Sequence, residues 1–338
     1  MANGHSRISR LARRAFEEVR ASAAIGSKTT VLEGINAFIA KCDMQKLVKN
    51  ACVETPSITA HLMRKHESVI NYLEARFGEF YSNYDYGRTL PPVPANRADK
   101  IWMCWWQGEE NAPVLVKACI ESVRRNACGR EVVVISDDSL HDYVDVPDWL
   151  EDKVKQGIVT RTNLSDFLRL SLLSRYGGMW LDATFYCAGE LCCPVYEAPL
   201  FTIKRPDYAH GSIACGMFAG YSLGCDSRSR RLFAVARDFY LEYWKHSTFM
   251  VDYLLIDYLI VLAQRHCAEA SCALEAVVPN NPLCDDLIKV LGEPFDAGEW
   301  ERLKRDTQLF KLTWKQEYPL KAAGRKTYLA MLLDGKLK

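Results

Sequence analysis

Two short apolar segments with a helical segment between them most constrain the fold of this 338-residue chain. Residues 100–106 and 131–136 have the length of buried strands, and they are rich in aromatic and valine residues respectively. Residues 114–126 begin after Pro113 and place their apolar side chains on one helical face. This order predicts a β-α-β unit, and therefore an α/β fold in which ligands bind beyond the carboxyl ends of parallel strands.

The first 95 residues differ in character from the rest of the chain. They are poor in strand signals, and apolar residues recur at three-to-four spacing in 31–47 and 58–80. Three prolines, at positions 91, 92 and 94, cannot continue a helix. The sequence therefore predicts a helical extension over 1–95 and an α/β domain over 96–338.

Further elements follow from the same periodicities. Strands are predicted at 158–161, 179–186, 200–204 and 213–219. Helices are predicted at 165–176, 230–244, 249–263 and 327–333. The predicted fold is thus a mixed sheet flanked by helices.

Charge and cysteine usage limit the function classes. A net charge of +1 provides no global field to attract nucleic acid, so no nucleic-acid partner is expected. The thirteen cysteines include no C-x-x-C pair, and they are interpreted as small buried residues in a reducing compartment. With no apolar signal region and no stretch of bilayer length, a cytoplasmic location is expected.

The N-terminal segment leaves two interpretations open. Arg7, Arg10, Arg13 and Arg14 alternate with apolar residues at helical spacing. This pattern fits a basic amphipathic helix in peripheral contact with the inner face of the cell membrane. It equally fits a solvated helix face.

The chemistry centres on the run S165-D-F-L-R169 and the run Y176-G-G-M-W-L-D-A-T184. Asp166 and Arg169 are three residues apart and share one helical face. After the double glycine, the strand period of two places Asp182 and Thr184 on the same side. A carboxylate at the end of a buried strand costs free energy unless it binds a cation or a ligand. A structural salt bridge between Asp182 and Arg169 is the competing interpretation.

These two runs resemble the signature of the capsular polysaccharide synthesis proteins, which are related to glycosyltransferase family 32 and to the DxD sugar transferases. The resemblance extends from about residue 98 onward. It implies a GT-A fold, which is a Rossmann-like nucleotide-diphospho-sugar transferase fold. It also implies that a nucleotide sugar is the donor.

The resemblance also implies roles for individual residues. Asp166 and Arg169 would contact the donor sugar, and Asp182 would lie at the ribose, the pyrophosphate and the metal. The remaining donor-binding candidates are Gly177, Gly178, Thr184, Lys311, Lys315 and Trp105, with Trp106 as the competitor of Trp105 for stacking on the base. The two lysines are alternatively an exposed strand edge.

The metal prediction contains one departure from the wider superfamily. The resemblance implies Mn²⁺ or Mg²⁺ held by Asp182 and Thr184. Thr184 stands where relatives have a second aspartate, and a hydroxyl is a weaker, neutral ligand for these ions. Metal dependence therefore stays open at this point.

The resemblance implies transfer of a hexose from a UDP- or GDP-sugar to a glycan or a lipid-linked glycan acceptor, with retention because the related families retain. The alternative is a catalytically inactive nucleotide-sugar- or carbohydrate-binding protein of the same fold, and Thr184 is the residue that motivates it.

Overall fold

The computed structural model describes residues 3–50 and 54–337, with the side chains of 16–45, 47 and 54–337. The side chains of Arg7, Arg10, Arg13 and Arg14, predicted to form a basic helix face, lie outside this described set. The helices are α1 Asn3–Lys28, α2 Val31–Asn50, α3 Pro56–Asn83, α4 Val114–Arg125, α5 Asp148–Lys155, α6 Arg161–Tyr176, α7 Arg231–His246, α8 Leu255–His266, α9 Ala268–Glu275, α10 Leu287–Val290, α11 Ala297–Lys304 and α12 Tyr328–Leu333. The strands are β1 Ile101–Cys104, β2 Val132–Ile135, β3 Gly178–Leu181, β4 Phe185–Cys187, β5 Leu200–Thr202, β6 Ser222–Cys225, β7 Leu309–Lys311, β8 Lys321–Ala322 and β9 Arg325–Lys326.

The central sheet has five strands in the order β2-β1-β3-β6-β5. Strand β1 pairs in parallel with β2 and with β3, whereas β6 runs antiparallel to both β3 and β5. The predicted α/β class, with a mixed sheet flanked by helices, is confirmed. The β-α-β unit predicted from residues 100–136 is β1-α4-β2.

Strand pairing decides which residues share an edge of the sheet. In register, Cys104 lies opposite Ile135, and Trp102 lies opposite Trp180. The three parallel strands therefore end together, so Trp105 and Asp182 follow neighbouring strand ends. A second, two-stranded ladder joins β4 to β7 and pairs Phe185 with Lys311.

Helix α3 belongs to the main hydrophobic core. Its Phe77 and Tyr81 pack against Phe239 and Tyr243 of α7, with Phe77–Tyr243 ring centroids 5.7 Å apart and Tyr81–Phe239 centroids 4.3 Å apart. The division of the chain into an extension and a domain at residue 95 stays a prediction. The main hydrophobic core contains residues from both sides of that position. No helix of the described residues is both long enough and apolar enough to span a bilayer.

Three predicted strands are wrong, namely 179–186, 213–219 and 158–161. The 179–186 strand is broken by a turn at Asp182, whose carbonyl accepts a 3.0 Å hydrogen bond from the Phe185 amide, so its two halves join different sheets. Residues 213–219 form turns with positive φ at Cys215 and Gly216, and the neighbouring β strand is Ser222–Cys225, whose composition gives little strand signal.

Residues 158–161 start a helix instead of forming a strand. The Thr160 side chain accepts from the Asn163 amide, and the Asn163 side chain accepts from the Thr160 amide, which is a reciprocal capping box. Helix α6 therefore begins at Arg161, four residues before the predicted start.

Gly178 allows β3 to lie against β1, and its replacement by alanine is expected to cost about 2–4 kcal/mol of stability. Its φ is +85°, and an added Cβ would collide with the Lys100 carbonyl oxygen and lie 3.0 Å from Trp102 Nε1. Gly129→Ala is the control, since Gly129 has φ +83° but open space around it. Urea unfolding should show the smaller loss for Gly129→Ala, and equal losses would contradict the packing argument.

Candidate active site

Asp182 lies at the turn where the central parallel strand β3 ends. Its backbone amide donates to the Tyr221 carbonyl at 3.0 Å, which fixes the turn against the segment entering β6. Its side chain is 29% exposed, and Oδ1 accepts a hydrogen bond from Trp180 Nε1 at 3.1 Å. The carboxylate is thus held in place while part of it remains open to solvent.

Helix α6 brings a buried acid and a guanidinium to this carboxylate. Arg169 Nη2 lies 3.3 Å from Asp166 Oδ1 and 3.7 Å from Asp182 Oδ1. The guanidinium also donates to the Gly220 carbonyl and lies 5.1 Å from the centre of the Trp180 ring. Asp166, Arg169 and Asp182 are therefore neighbours, as the sequence predicted.

Lys311 completes the group from the second ladder. Because β7 pairs with β4, the Lys311 side chain reaches the turn, and Nζ donates to Asp182 Oδ2 and to Thr184 Oγ1, both at 2.8 Å. The ammonium lies 5.3 Å from the centre of the Phe185 ring and 5.5 Å from that of Tyr221. Two hydrogen bonds and two aromatic faces hold one positive charge at the strand end.

This arrangement holds an ammonium group where a divalent metal was predicted. Both predicted ligand oxygens, Asp182 Oδ2 and Thr184 Oγ1, accept from Lys311. The other Asp182 oxygen accepts from Trp180 and faces Arg169, so one carboxylate already lies between two cations. Hard divalent ions need several free oxygen ligands, and the residues in this arrangement do not supply them. Among the described residues, the exposed side chains of Cys128, Glu190 and Cys192 lie close together, but two sulfur ligands do not suit Mn²⁺ or Mg²⁺.

The acids of the site differ in protonation because their surroundings differ. Burial raises the pKa of Asp166 to about 7, although Arg169 opposes the shift. Burial would also raise the pKa of Asp182, but Lys311 and Arg169 together hold it below its ordinary value. Burial raises the pKa of Asp257 to about 6, and Ser212 Oγ donates to its Oδ2 at 2.6 Å. Asp182 is thus the firmly ionised carboxylate.

The raised pKa of Asp166 predicts a measurable dependence of stability on pH. Its ordinary value is 3.8, so between about pH 4 and pH 7 the folded state keeps a proton that the unfolded state has lost. Its contribution to stability therefore falls as pH rises through this window. Asparagine does not ionise, so Asp166→Asn should gain on the order of 2 kcal/mol relative to wild type between pH 5 and pH 8.

Thermal unfolding at several pH values measures this difference. The exposed acid Asp152 on α5 supplies the control, because Asp152→Asn removes a carboxylate at the surface, and its difference from wild type should change less with pH than that of Asp166→Asn. An Asp166→Asn difference that stays flat between pH 5 and pH 8 would mean that Asp166 is ionised throughout.

The two candidate tryptophans have different surroundings. Trp106 Nε1 donates to the Arg161 carbonyl and to Ser165 Oγ, each at 3.1 Å, and so ties β1 to α6. Trp105 instead packs edge-to-face against Trp314, with ring centroids 5.7 Å apart, and its buried indole N–H has no hydrogen-bond partner among the described residues. Trp105 is therefore the better stacking candidate of the two.

Other predicted site residues lie away from this group. Gly177 and Gly178 lie at the opposite end of β3 from Asp182, and their close neighbours are backbone atoms of Lys100, Cys225 and Asp226 and the Trp102 indole. Lys315 lies on an exposed segment beyond β7. The structure does not bring these three residues to Asp182.

Sequence reasoning missed two parts of the site. Trp314, 46% exposed, faces Trp105, and the 219–221 segment supplies two carbonyls, those of Gly220 and Tyr221. An aromatic residue close to Lys311 in the sequence was an available signal for Trp314. No side-chain pattern marks a segment that contributes only carbonyl groups.

Sequence comparison gives the family. The profile of the capsular polysaccharide synthesis proteins matches residues 49–332. The chain belongs to this family. The match begins about fifty residues earlier than the resemblance suggested, and it includes α3, which agrees with the packing of α3 into the main core.

Two further comparisons add little to the family assignment. No curated protein matches this member of the capsular polysaccharide synthesis family. A solved structure described as the apo form of the bifunctional glycosyltransferase WbbM is similar over 95% of this chain and 70% of that chain, with 11% identity and a TM-score of 0.38. The assignment therefore depends on the sequence profile.

Proposed function

We propose that this protein is a glycosyltransferase that moves a hexose from a UDP- or GDP-sugar to a glycan or lipid-linked glycan acceptor in surface polysaccharide synthesis. One observation supports it above the others: Asp182, Arg169 and Lys311 converge on a partly open strand end in a member of a polysaccharide synthesis family. The carboxyl edge of parallel strands is also where α/β folds bind ligands.

The charges suit the departure of a nucleoside diphosphate. In the transfer, the bond between the sugar C1 and the phosphate oxygen breaks, and negative charge grows on that oxygen. The acceptor oxygen forms the new bond to C1, and its proton passes to the departing phosphate oxygen. Lys311 and Arg169 supply fixed positive charge beside the leaving group, which lowers the barrier because they need no reorganisation. Trp105, with Trp314, offers an aromatic surface for the base.

A second candidate is a protein of the same fold that binds a nucleotide sugar without reacting. The observation that favours it is the full set of internal partners of Asp182, since Trp180, Lys311 and Arg169 already surround its two oxygens. In that case the group is a structural ion-pair network.

A panel of nucleotide sugars distinguishes the two candidates. Each donor is incubated with the protein, with and without Mn²⁺, and release of UDP or GDP is followed for several hours, first alone and then with oligosaccharide acceptors. Calorimetric donor binding without release under any condition would favour the non-catalytic candidate. For a reactive donor, the anomeric configuration of the first product, read by NMR, tests retention.

A further inference from the structure

The α1–α2 hairpin has its apolar side chains in an inverted arrangement. The face of α2 that packs inward consists mainly of the small residues Gly34, Ala37 and Ala40, followed by the buried Asp43. The outward face consists of large apolar residues, whose exposed fractions are 74% for Val31, 65% for Leu32, 50% for Ile35, 44% for Phe38 and 39% for Ile39. An ordinary amphipathic helix buries the large residues instead.

Close helix packing explains why the large residues lie outside. An added Cβ on Gly34 would come within 2.7 Å of the Ser22 carbonyl oxygen and 3.1 Å of Gly26 Cα on α1. The two backbones therefore approach too closely for any large side chain between them. Small residues at helix contacts, with large apolar residues facing outward, are the arrangement that helices adopt in lipid.

Helix α1, which packs on α2, carries two further exposed apolar side chains. Phe16 is 67% exposed and Val19 is 54% exposed. With the five residues on α2 they give a set of seven large apolar side chains, which we call the hairpin face. Soluble proteins seldom leave such a set uncovered without a binding partner for it.

Charge indicates which partner covers the hairpin face. Residues 1–50 contain nine lysines and arginines and four acids, a net charge of +5, while the remainder of the chain is −4. A positive hairpin on an otherwise negative protein complements a surface of anionic headgroups. The combination of exposed apolar side chains and basic residues is that of interfacial membrane helices.

We propose that the hairpin face docks the protein on an anionic membrane surface, with the large side chains of α2 inserted among the lipids. The helices lie along the surface. The main core, anchored to the hairpin through Ile25, Ala37 and α3, stays outside the bilayer. The proposal does not depend on the enzymatic function proposed above.

Flotation of the full chain with lipid vesicles tests the proposal. The protein should bind vesicles of phosphatidylcholine with phosphatidylglycerol, bind pure phosphatidylcholine vesicles less, and lose affinity as salt is raised. The affinity of the combined variant Leu32→Ser, Ile35→Ser and Phe38→Ser for these vesicles should fall by roughly tenfold or more, because the variant removes apolar groups that enter the lipid.

A matched variant distinguishes binding through the hairpin face from non-specific hydrophobic binding to vesicles. Val114→Ser, Val278→Ser and Leu320→Ser removes three apolar residues elsewhere that are at least as exposed, at 68%, 59% and 54%, and it should bind as wild type does. Both variants should stay folded with similarly small losses of melting temperature, because all six side chains are between 44% and 68% exposed. Equal binding by wild type and the α2 variant would overturn the proposal. So would a wild-type dimer in light scattering that the α2 variant abolishes, since the hairpin face would then contact a second copy.

Discussion

Methionine in place of Lys311 is expected to lower sugar transfer about 100-fold or more while the protein stays folded. The ammonium is the group best placed to meet charge on a departing diphosphate, since it already binds Asp182 Oδ2 and Thr184 Oγ1 at 2.8 Å. Methionine keeps an unbranched side chain of similar length against Phe185 and Tyr221. The loss should therefore appear in kcat more than in stability.

The same variant tests our proposal that fixed cations, and not a divalent metal, stabilise the leaving group. Wild-type transfer should withstand EDTA, and wild-type protein should leave the electron paramagnetic resonance signal of free Mn²⁺ unchanged. Lys311→Met frees the Asp182 and Thr184 oxygens and removes one positive charge, so it should bind Mn²⁺ measurably. Lys321→Met, an exposed lysine on β8, is the control and should resemble wild type in each assay.

Two results would contradict the fixed-cation interpretation. One is wild-type turnover by Lys311→Met. The other is loss of wild-type transfer activity in EDTA and its recovery on addition of Mn²⁺, together with Mn²⁺ binding by the wild-type protein. The second result would leave the glycosyltransferase proposal intact and would return the metal to Asp182 and Thr184.

The sequence predicts the core of this site because its spacing is local. Asp166 and Arg169 share a helical face at any tilt of α6, and the double glycine forces the following strand to start at once. The sequence does not show that the strand ends at Asp182, because the predicted strand continues to residue 186 and only the turn at Asp182 ends it. The sequence analysis grouped Asp182 with Thr184 by the alternation of side chains along a strand, and that reason was wrong. The two side chains lie together because a turn follows Asp182 and because both bind the Lys311 ammonium.

Long-range pairing is what the sequence does not reveal. Lys311 lies 129 residues after Asp182 in the chain, and only the β4–β7 ladder brings them together. Strand β6, with the sequence Ser-Leu-Gly-Cys, is a strand because β3 and β5 pair with it on both sides. Tertiary pairing overrides composition at such positions.

Helix α2 shows the limit of periodicity in another way. Its small and its large apolar residues both recur at three-to-four spacing, so the pattern predicts a helix without saying which face is buried. The contact of Gly34 with Ser22 and Gly26 decides it. The choice depends on how closely two backbones approach, which hydrophobicity alone does not encode.

Asparagine in place of Asp182 is expected to reduce transfer about 1,000-fold while binding of the nucleoside diphosphate is kept or tightened. The substitution preserves shape but removes the charge that Lys311 and Arg169 now neutralise. Without this negative charge, both cations attract the diphosphate more strongly. They also lose the carboxylate that orders them for the transfer step, so transfer slows. Turnover measured against calorimetric binding of UDP or GDP separates the two effects.

Asp226→Asn is the matched control for this experiment. Asp226 is similarly exposed, at 26% against 29%, and its carboxylate also binds a guanidinium, that of Arg228, but it lies next to the opposite end of β3. It should lose some stability and no turnover per folded molecule. If Asp182→Asn instead behaves like this control, with a lower melting temperature and unchanged turnover, then Asp182 is the structural salt bridge of the competing interpretation. The catalytic group must in that case be sought elsewhere along the carboxyl edge of the sheet, because that edge is set by strand pairing and does not depend on Asp182.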